Sequence, residues 1–285
     1  MKKYVFVLMA TMIALAGCTN LKNVDESLTD MSMIATGSEF GTLIEKARWG
    51  DGQAYLELAD CYREGNGVEQ DFVGMLCMLS QAEDLGSIKR MEDYLKEMPE
   101  GSEFRMIFDA IEKFEDKQIE EAISLSDQLI ANGSSDGYTV KGVMAIESGD
   151  TIGGLHLMEL AASQGSSLAK LLLCIPEWNN RKKQYMEMLK DISKEKPYAY
   201  TFLAGLYTGE DDESMKDEHL AAQYYLMADE NACLSKRGAR WLLHYHRYVS
   251  KLALKERDIQ RLLIIAGMNM TYQEESEIAD TMIVE

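Results

Sequence analysis

The chain has 285 residues, and its 48 acidic and 29 basic side chains give a formal net charge of −19. So much negative charge repels nucleic acid and anionic lipid headgroups, so we expect no nucleic-acid partner and no electrostatic attachment to a membrane. Only three prolines and 21 glycines occur, and this composition is typical of helical proteins.

The first 17 residues have the pattern of a secretory signal. Lys2 and Lys3 precede an apolar run, residues 4–16, that is too short for a membrane span of roughly 20 residues. Leu-Ala-Gly stands directly before Cys18 and resembles the bacterial lipobox, which implies that Cys18 is lipidated and becomes the mature N-terminus. An ordinary cleaved signal and an uncleaved anchor remain alternatives. Membrane attachment through the N-terminal lipid is therefore predicted, with Cys18 and the polar residues up to 37 as a tether.

The location that follows is the bacterial cell envelope, outside the cytoplasm. The residue after Cys18 is not the aspartate that resembles an inner-membrane retention signal, so we favour the outer membrane, facing either the periplasm or the surface. The sequence leaves the membrane and its face open.

Residues 38–267 carry a recurring spacing. The steps 4, 3, 4 and 4 run from Asp71 to Gly86, from Asp150 to Gly165 and from Asp217 to Ala232. Such steps place the apolar positions on one helix face, and the terminal small residue marks a helix end. The ends that the pattern marks are Gly50, Gly86, Gly133, Gly165, Ala232 and Gly267. One interval spans two units, of which 166–198 is degenerate. The period, in the mid-thirties, predicts an all-α fold, an α-solenoid of about six antiparallel helix pairs.

Residues 54–71 carry a further pattern, which precedes the first copy of this spacing. Ala54, Leu58 and Tyr62 form one helical stripe, two glycines follow at 65 and 67, and Asp71 can cap the next helix. This pattern resembles the Sel1-like repeat, a relative of the tetratricopeptide repeat, and the resemblance covers residues 38–267 unevenly. It implies antiparallel helix pairs stacked in a superhelix and a role as a scaffold for protein complexes.

Chemical motifs are lacking in this sequence. It has no metalloprotease, nucleophile-elbow or phosphate-loop pattern, so we expect no enzyme activity, no cofactor, no metal and no small-molecule substrate. Four cysteines follow Cys18, and buried free thiols are favoured slightly over disulfides, which export would permit. These cysteines are Cys61, Cys77, Cys174 and Cys233.

One segment departs from the acidic composition. Eight basic residues and two acidic ones lie between positions 236 and 261. The helical spacing gives an aromatic stripe that includes Trp241, and a second stripe of Arg240, Arg247 and Lys251 about 100° away. Aromatic and arginine side chains together are typical of interaction hot spots, so these four residues are the candidate partner-binding site. Alternatively, the aromatic stripe is core and the bases pair with acidic loops such as 210–213.

The function that these patterns indicate is a lipid-anchored scaffold that mediates protein–protein interactions with unidentified envelope proteins. A subunit of an outer-membrane assembly or uptake complex is the first alternative, and a cell-wall-acting enzyme is a weaker one. Residues 268–285 form an acidic C-terminal tail. The partner and the oligomeric state do not follow from the sequence.

Overall fold

The computed structural model describes residues 38–87, 90–174, 182–208, 215–248, 252 and 254–268. This part of the chain forms fourteen α-helices and no strand, so the all-α prediction is confirmed. The helices are α1 Glu39–Arg48, α2 Gly52–Glu64, α3 Phe72–Asp84, α4 Met91–Glu97, α5 Glu103–Glu115, α6 Ile119–Ala131, α7 Asp136–Glu147, α8 Thr151–Ser163, α9 Ser167–Leu172, α10 Lys182–Ser193, α11 Ala199–Thr208, α12 Glu218–Glu230, α13 Lys236–Tyr248 and α14 Glu256–Ile265. The predicted signal, Cys18, the tether and nearly all of the acidic tail lie outside these residues.

The predicted helix ends coincide with real ones. All six marked residues have a positive φ, from 55° at Ala232 to 103° at Gly165. At each of them the next residue donates its backbone N–H to a carbonyl of the last helical turn, as Ser87 does to Ala82 at 2.9 Å. This is the hydrogen bond that closes a helix through a left-handed residue, and glycine allows that conformation without strain.

The predicted helix cap at Asp71 is confirmed as well, and two further aspartates act in the same way. The carboxylate of Asp71 accepts a hydrogen bond from the backbone N–H of Gly74 at 2.8 Å, and Asp150 and Asp217 cap α8 and α12 in the same way. These caps satisfy N–H groups that have no partner inside the helix. The same start and the same end therefore recur in three helices of the chain.

Consecutive helices pack as antiparallel pairs. Tyr62 at the end of α2 lies against Gly74 at the start of α3, where a Cβ added to the glycine would lie 2.5 Å from the ring. In α7 and α8 the backbones meet at Gly142 and Gly154, and a Cβ on Gly142 would lie 2.8 Å from the carbonyl oxygen of Gly154. The apolar positions of the spacing form the core, because Leu58, for instance, is completely buried.

Segments far apart in the chain also touch, which an open array of neighbouring repeats does not predict. Lys196, before α11, lies 3.1 Å from the carboxylate of Asp71, before α3. The guanidinium of Arg257 in α14 lies 5.1 Å from the centre of the Trp49 ring, which directly follows α1. The first helices therefore pack against the last ones, and the helix pairs form a closed arrangement.

A buried ionic cluster, which we call the closure cluster, joins these ends. The Asp229 side chain of α12 is 5% exposed and lies 3.5 Å from Nη2 of Arg48 in α1. Its other oxygen accepts a hydrogen bond from Arg261 of α14, a side chain that is 6% exposed. Burial disfavours the guanidinium charge, but the hydrogen bonds and negative charges of Asp229 and Asp258 together outweigh this effect and raise the pKa of Arg261. One carboxylate therefore connects three helices at the closure.

Candidate functional site

The closed arrangement creates a cavity of about 370 Å³ between α3 and the helices α11 and α13. Its floor is formed by buried side chains, which include Leu76 of α3, Phe202 of α11 and Cys233 before α13. The remaining lining is polar: Gln81 is buried, and the partly exposed edge comprises Ser80, Asp84, Ser235, Lys236, Arg237 and Arg240. The volume lies within the range of small ligand pockets in proteins.

The edge of the cavity is positively charged in a strongly acidic protein. Lys236, Arg237 and Arg240 stand in the first two turns of α13, and Asp84 is the one acidic residue of the lining. Burial raises the pKa of Asp84, whereas the charges of Lys236 and Arg240 oppose that rise. We call this feature the basic-rimmed cavity. An apolar floor below a cationic edge suits an occupant that has both an apolar and an anionic part.

Two cysteines belong to the cavity lining, Cys77 and Cys233. Burial raises the pKa of the Cys233 thiol to about 12, and burial also raises the pKa of Cys77 well above its usual value. Because the thiolate is the reactive form, both thiols are weak nucleophiles at neutral pH. All four cysteines of the described chain are free. The lining therefore serves binding better than nucleophilic chemistry.

The basic residues of segment 236–261 lie in different parts of the structure. Arg240 is exposed at the cavity edge, where its Nε donates a hydrogen bond to the carbonyl of Ala266 at 3.0 Å. Arg247 lies at the far end of α13 with its guanidinium 5.6 Å from the centre of the Tyr248 ring. Lys251 and the acidic loop 210–213 lie outside the described residues. Arg261 belongs to the closure cluster, so internal pairing accounts for part of the basic segment.

The aromatic stripe of α13 packs mostly inward. Trp241 is half-buried, stacks on Tyr245 with ring centres 5.0 Å apart, and contacts Tyr225 of α12 at 5.4 Å. Tyr245 is buried, while Tyr248 is 47% exposed. Trp241 therefore stabilises the contact between α12 and α13, and its role in partner binding stays a prediction.

A second cleft of about 320 Å³ lies where the N-terminal ends of α3, α5, α7 and α9 converge. Its lining is mostly polar, and Lys196 joins two of its carboxylates. Lys196 contacts Glu69 at 2.6 Å and Asp71 at 3.1 Å. Asp136 accepts a hydrogen bond from Ser166, and burial raises the pKa of its carboxyl group to about 6. This network caps helices and joins distant units.

The sequence reasoning missed both cavities. It assigned Cys77 no role beyond a buried thiol, and it had no means of placing α3 beside α13. Within the described residues no cluster of histidine, cysteine or carboxylate side chains is arranged to hold a metal ion. None of the helices in that part of the chain has the length and apolar character of a membrane span.

The comparisons with known proteins give no relative. No family model matches the chain, and neither a curated protein nor a solved structure matches it. The resemblance to Sel1-like repeats therefore depends on the residues of this sequence alone.

Proposed function

We propose that this protein is a lipid-anchored component of the bacterial envelope that binds an acidic segment of a partner protein. The basic-rimmed cavity carries this proposal. Three cations of α13 stand at the edge of an apolar floor there, in a chain whose net charge is −19. Charge complementarity of this kind speeds encounter and discriminates among partners, while the apolar floor supplies affinity.

The proposal includes the repeat architecture. The six helix pairs act as Sel1-like units of an α-solenoid, and the recurring aspartate caps and left-handed helix ends support this assignment. Because the first described units contact the last ones, we expect the partner-binding surface to differ from that of an open solenoid. The partner is held in the cavity between distant units instead of along an open concave face.

Lipidation of Cys18 supplies the membrane anchor in this proposal, and the Leu-Ala-Gly-Cys pattern supports it. Labelling with radioactive palmitate and detergent phase partitioning test the anchor. We expect the native protein to incorporate label and to enter the detergent phase, and the Cys18→Ser variant to do neither. A Cys18→Ser variant that still partitions with membranes at unchanged mass would contradict lipidation.

Charge reversal tests the binding site. Arg237→Glu combined with Arg240→Glu should remove partners that crosslink to the native protein in intact envelopes, and thermal stability should change little. Arg90→Glu is the control, because this side chain is 75% exposed and lies directly before α4, outside the cavity lining. Loss of partners in both variants, or in neither, would contradict a site at the cavity.

A third variant separates the two basic places. Arg247→Glu changes the charge at the far end of α13 and leaves the cavity edge intact. Loss of partners with Arg247→Glu but not with the cavity variant would assign binding to the outer stripe. The captured proteins also distinguish a fixed membrane complex, the first alternative, from soluble clients. A peptidoglycan digest with the purified protein tests the enzyme alternative.

A further inference from the structure

The chain leaves its last helix at the edge of the basic-rimmed cavity. The carbonyl of Ala266 accepts a hydrogen bond from Arg240. Gly267 is so close to Lys236 that an added Cβ would lie 2.8 Å from the Cε atom of the lysine. Residues 269–285 therefore start beside two of the three cations of the cavity edge.

The composition of residues 269–285 is complementary to the cavity. This segment has five acidic residues and no basic one, and it also has apolar side chains that suit the cavity floor. The acidic residues are Glu274, Glu275, Glu277, Asp280 and Glu285, and the larger apolar ones are Met270, Tyr272, Ile278, Met282, Ile283 and Val284. Acidic and apolar side chains thus occur together in a short stretch, as an occupant of this cavity requires.

Distance also favours this segment. Glu274 is seven residues beyond Gly267, which corresponds to a reach of about 24 Å when the chain is extended. A short covalent connection raises the effective concentration of the acidic residues at the cavity edge to the millimolar range. Even a weak intrinsic affinity then leads to substantial occupancy.

We propose that residues 269–285 bind in the basic-rimmed cavity of their own chain and compete there with the acidic segment of the partner. The competition rests on the proposed function, whereas binding of the segment to its own cavity does not. An external acidic segment then binds only when it displaces the internal one. The affinity for the partner is reduced by the fraction of chains whose cavity is free.

Carbodiimide crosslinking of the full chain in detergent tests the contact. This reagent joins a carboxylate to an amine in direct contact, and residues 269–285 contain no lysine. We expect their carboxylates to couple mainly to Lys236, although Lys194 is a more accessible acceptor, with a side chain that is 66% exposed. A mixture of ordinary and 15N-labelled protein shows whether the two residues belong to the same chain.

Charge reversal separates binding from mere proximity, because Gly267 already adjoins Lys236. Arg237→Glu with Arg240→Glu should reduce the coupling to Lys236 at least fivefold, as should 0.5 M salt, while Arg90→Glu should leave it unchanged. Coupling that persists at full yield in the reversed variant would overturn the proposal. So would coupling at Lys194 equal to that at Lys236, or crosslinks that join two different chains.

Partner capture then separates the two proposals. Neutralising the segment with Glu274→Gln, Glu275→Gln and Glu277→Gln should increase partner recovery severalfold if both hold. If residues 269–285 couple to Lys236 but no captured partner depends on the cavity residues, the internal contact stands and the proposed function is refuted. If partner capture depends on Arg240 but residues 269–285 do not couple to Lys236, only the internal contact is refuted.

Discussion

Replacing Asp229 with alanine tests whether the two ends of the chain are joined. The native carboxylate is 5% exposed and contacts Arg48 of α1 and Arg261 of α14. Alanine leaves Arg261, itself 6% exposed, without its buried partner. The more distant Asp258, at 3.6 Å and partly exposed, compensates only in part.

The expected cost follows from the burial of this charge. Removing one partner of a buried ion pair destabilises proteins by about 3–5 kcal/mol, because the remaining charge is neither solvated nor paired. We therefore expect Asp229→Ala to lower the free energy of unfolding by about 3–5 kcal/mol. This is a large part of the roughly 5–15 kcal/mol that stabilises a typical protein.

Urea denaturation at pH 7, followed by far-ultraviolet circular dichroism, measures this cost. Asp191→Ala is the matched control, because the Asp191 side chain is 74% exposed and its partner Lys194 is 66% exposed. Exposed pairs contribute about 0.2–1 kcal/mol, so the control should lose no more than that. Equal and small losses in the two variants would refute the buried closure cluster.

Three further predictions concern the core, a helix contact and the polar cleft. Leu58→Ala should cost about 2–5 kcal/mol in urea denaturation, because the leucine is fully buried, while Ile152→Ala, at a position 86% exposed, should stay within about 0.5 kcal/mol. Gly154→Ala should destabilise by about 1–3 kcal/mol despite its better helix propensity, because the new Cβ would lie 2.5 Å from a backbone oxygen of α7, and Gly52→Ala, with ordinary contacts, should be nearly neutral. The pKa of Asp136 is about 6 in the folded protein against 3.8 as the usual value, so the folded state binds the extra proton, and this residue lowers stability as the pH rises from about 4 to about 6. Thermal melting should therefore show that Asp136→Asn gains stability relative to the native protein at pH 7 but not at pH 4, and an equal difference at both values would contradict the raised pKa.

The local structure of this protein follows from interactions between residues that are close in the sequence. Helix starts at Asp71, Asp150 and Asp217 follow from side-chain capping, and the end at Gly86 follows from the tolerance of glycine for a positive φ. These effects act within one helical turn, so spacing alone identifies them. The buried faces follow from the same spacing, since side chains three and four residues apart share one side of a helix.

Which helices meet depends on the packing of the whole chain. The contact of Asp229 with Arg48 spans 181 positions, and the cavity brings Cys77 beside Lys236 and Arg240. Small rotations between successive helix pairs accumulate along the chain, and their sum determines whether the ends separate or touch. No local pattern encodes that sum, because it depends on how every interface packs. The sequence thus identified a basic helix, whereas the closure of the fold placed its first two turns at the edge of a cavity.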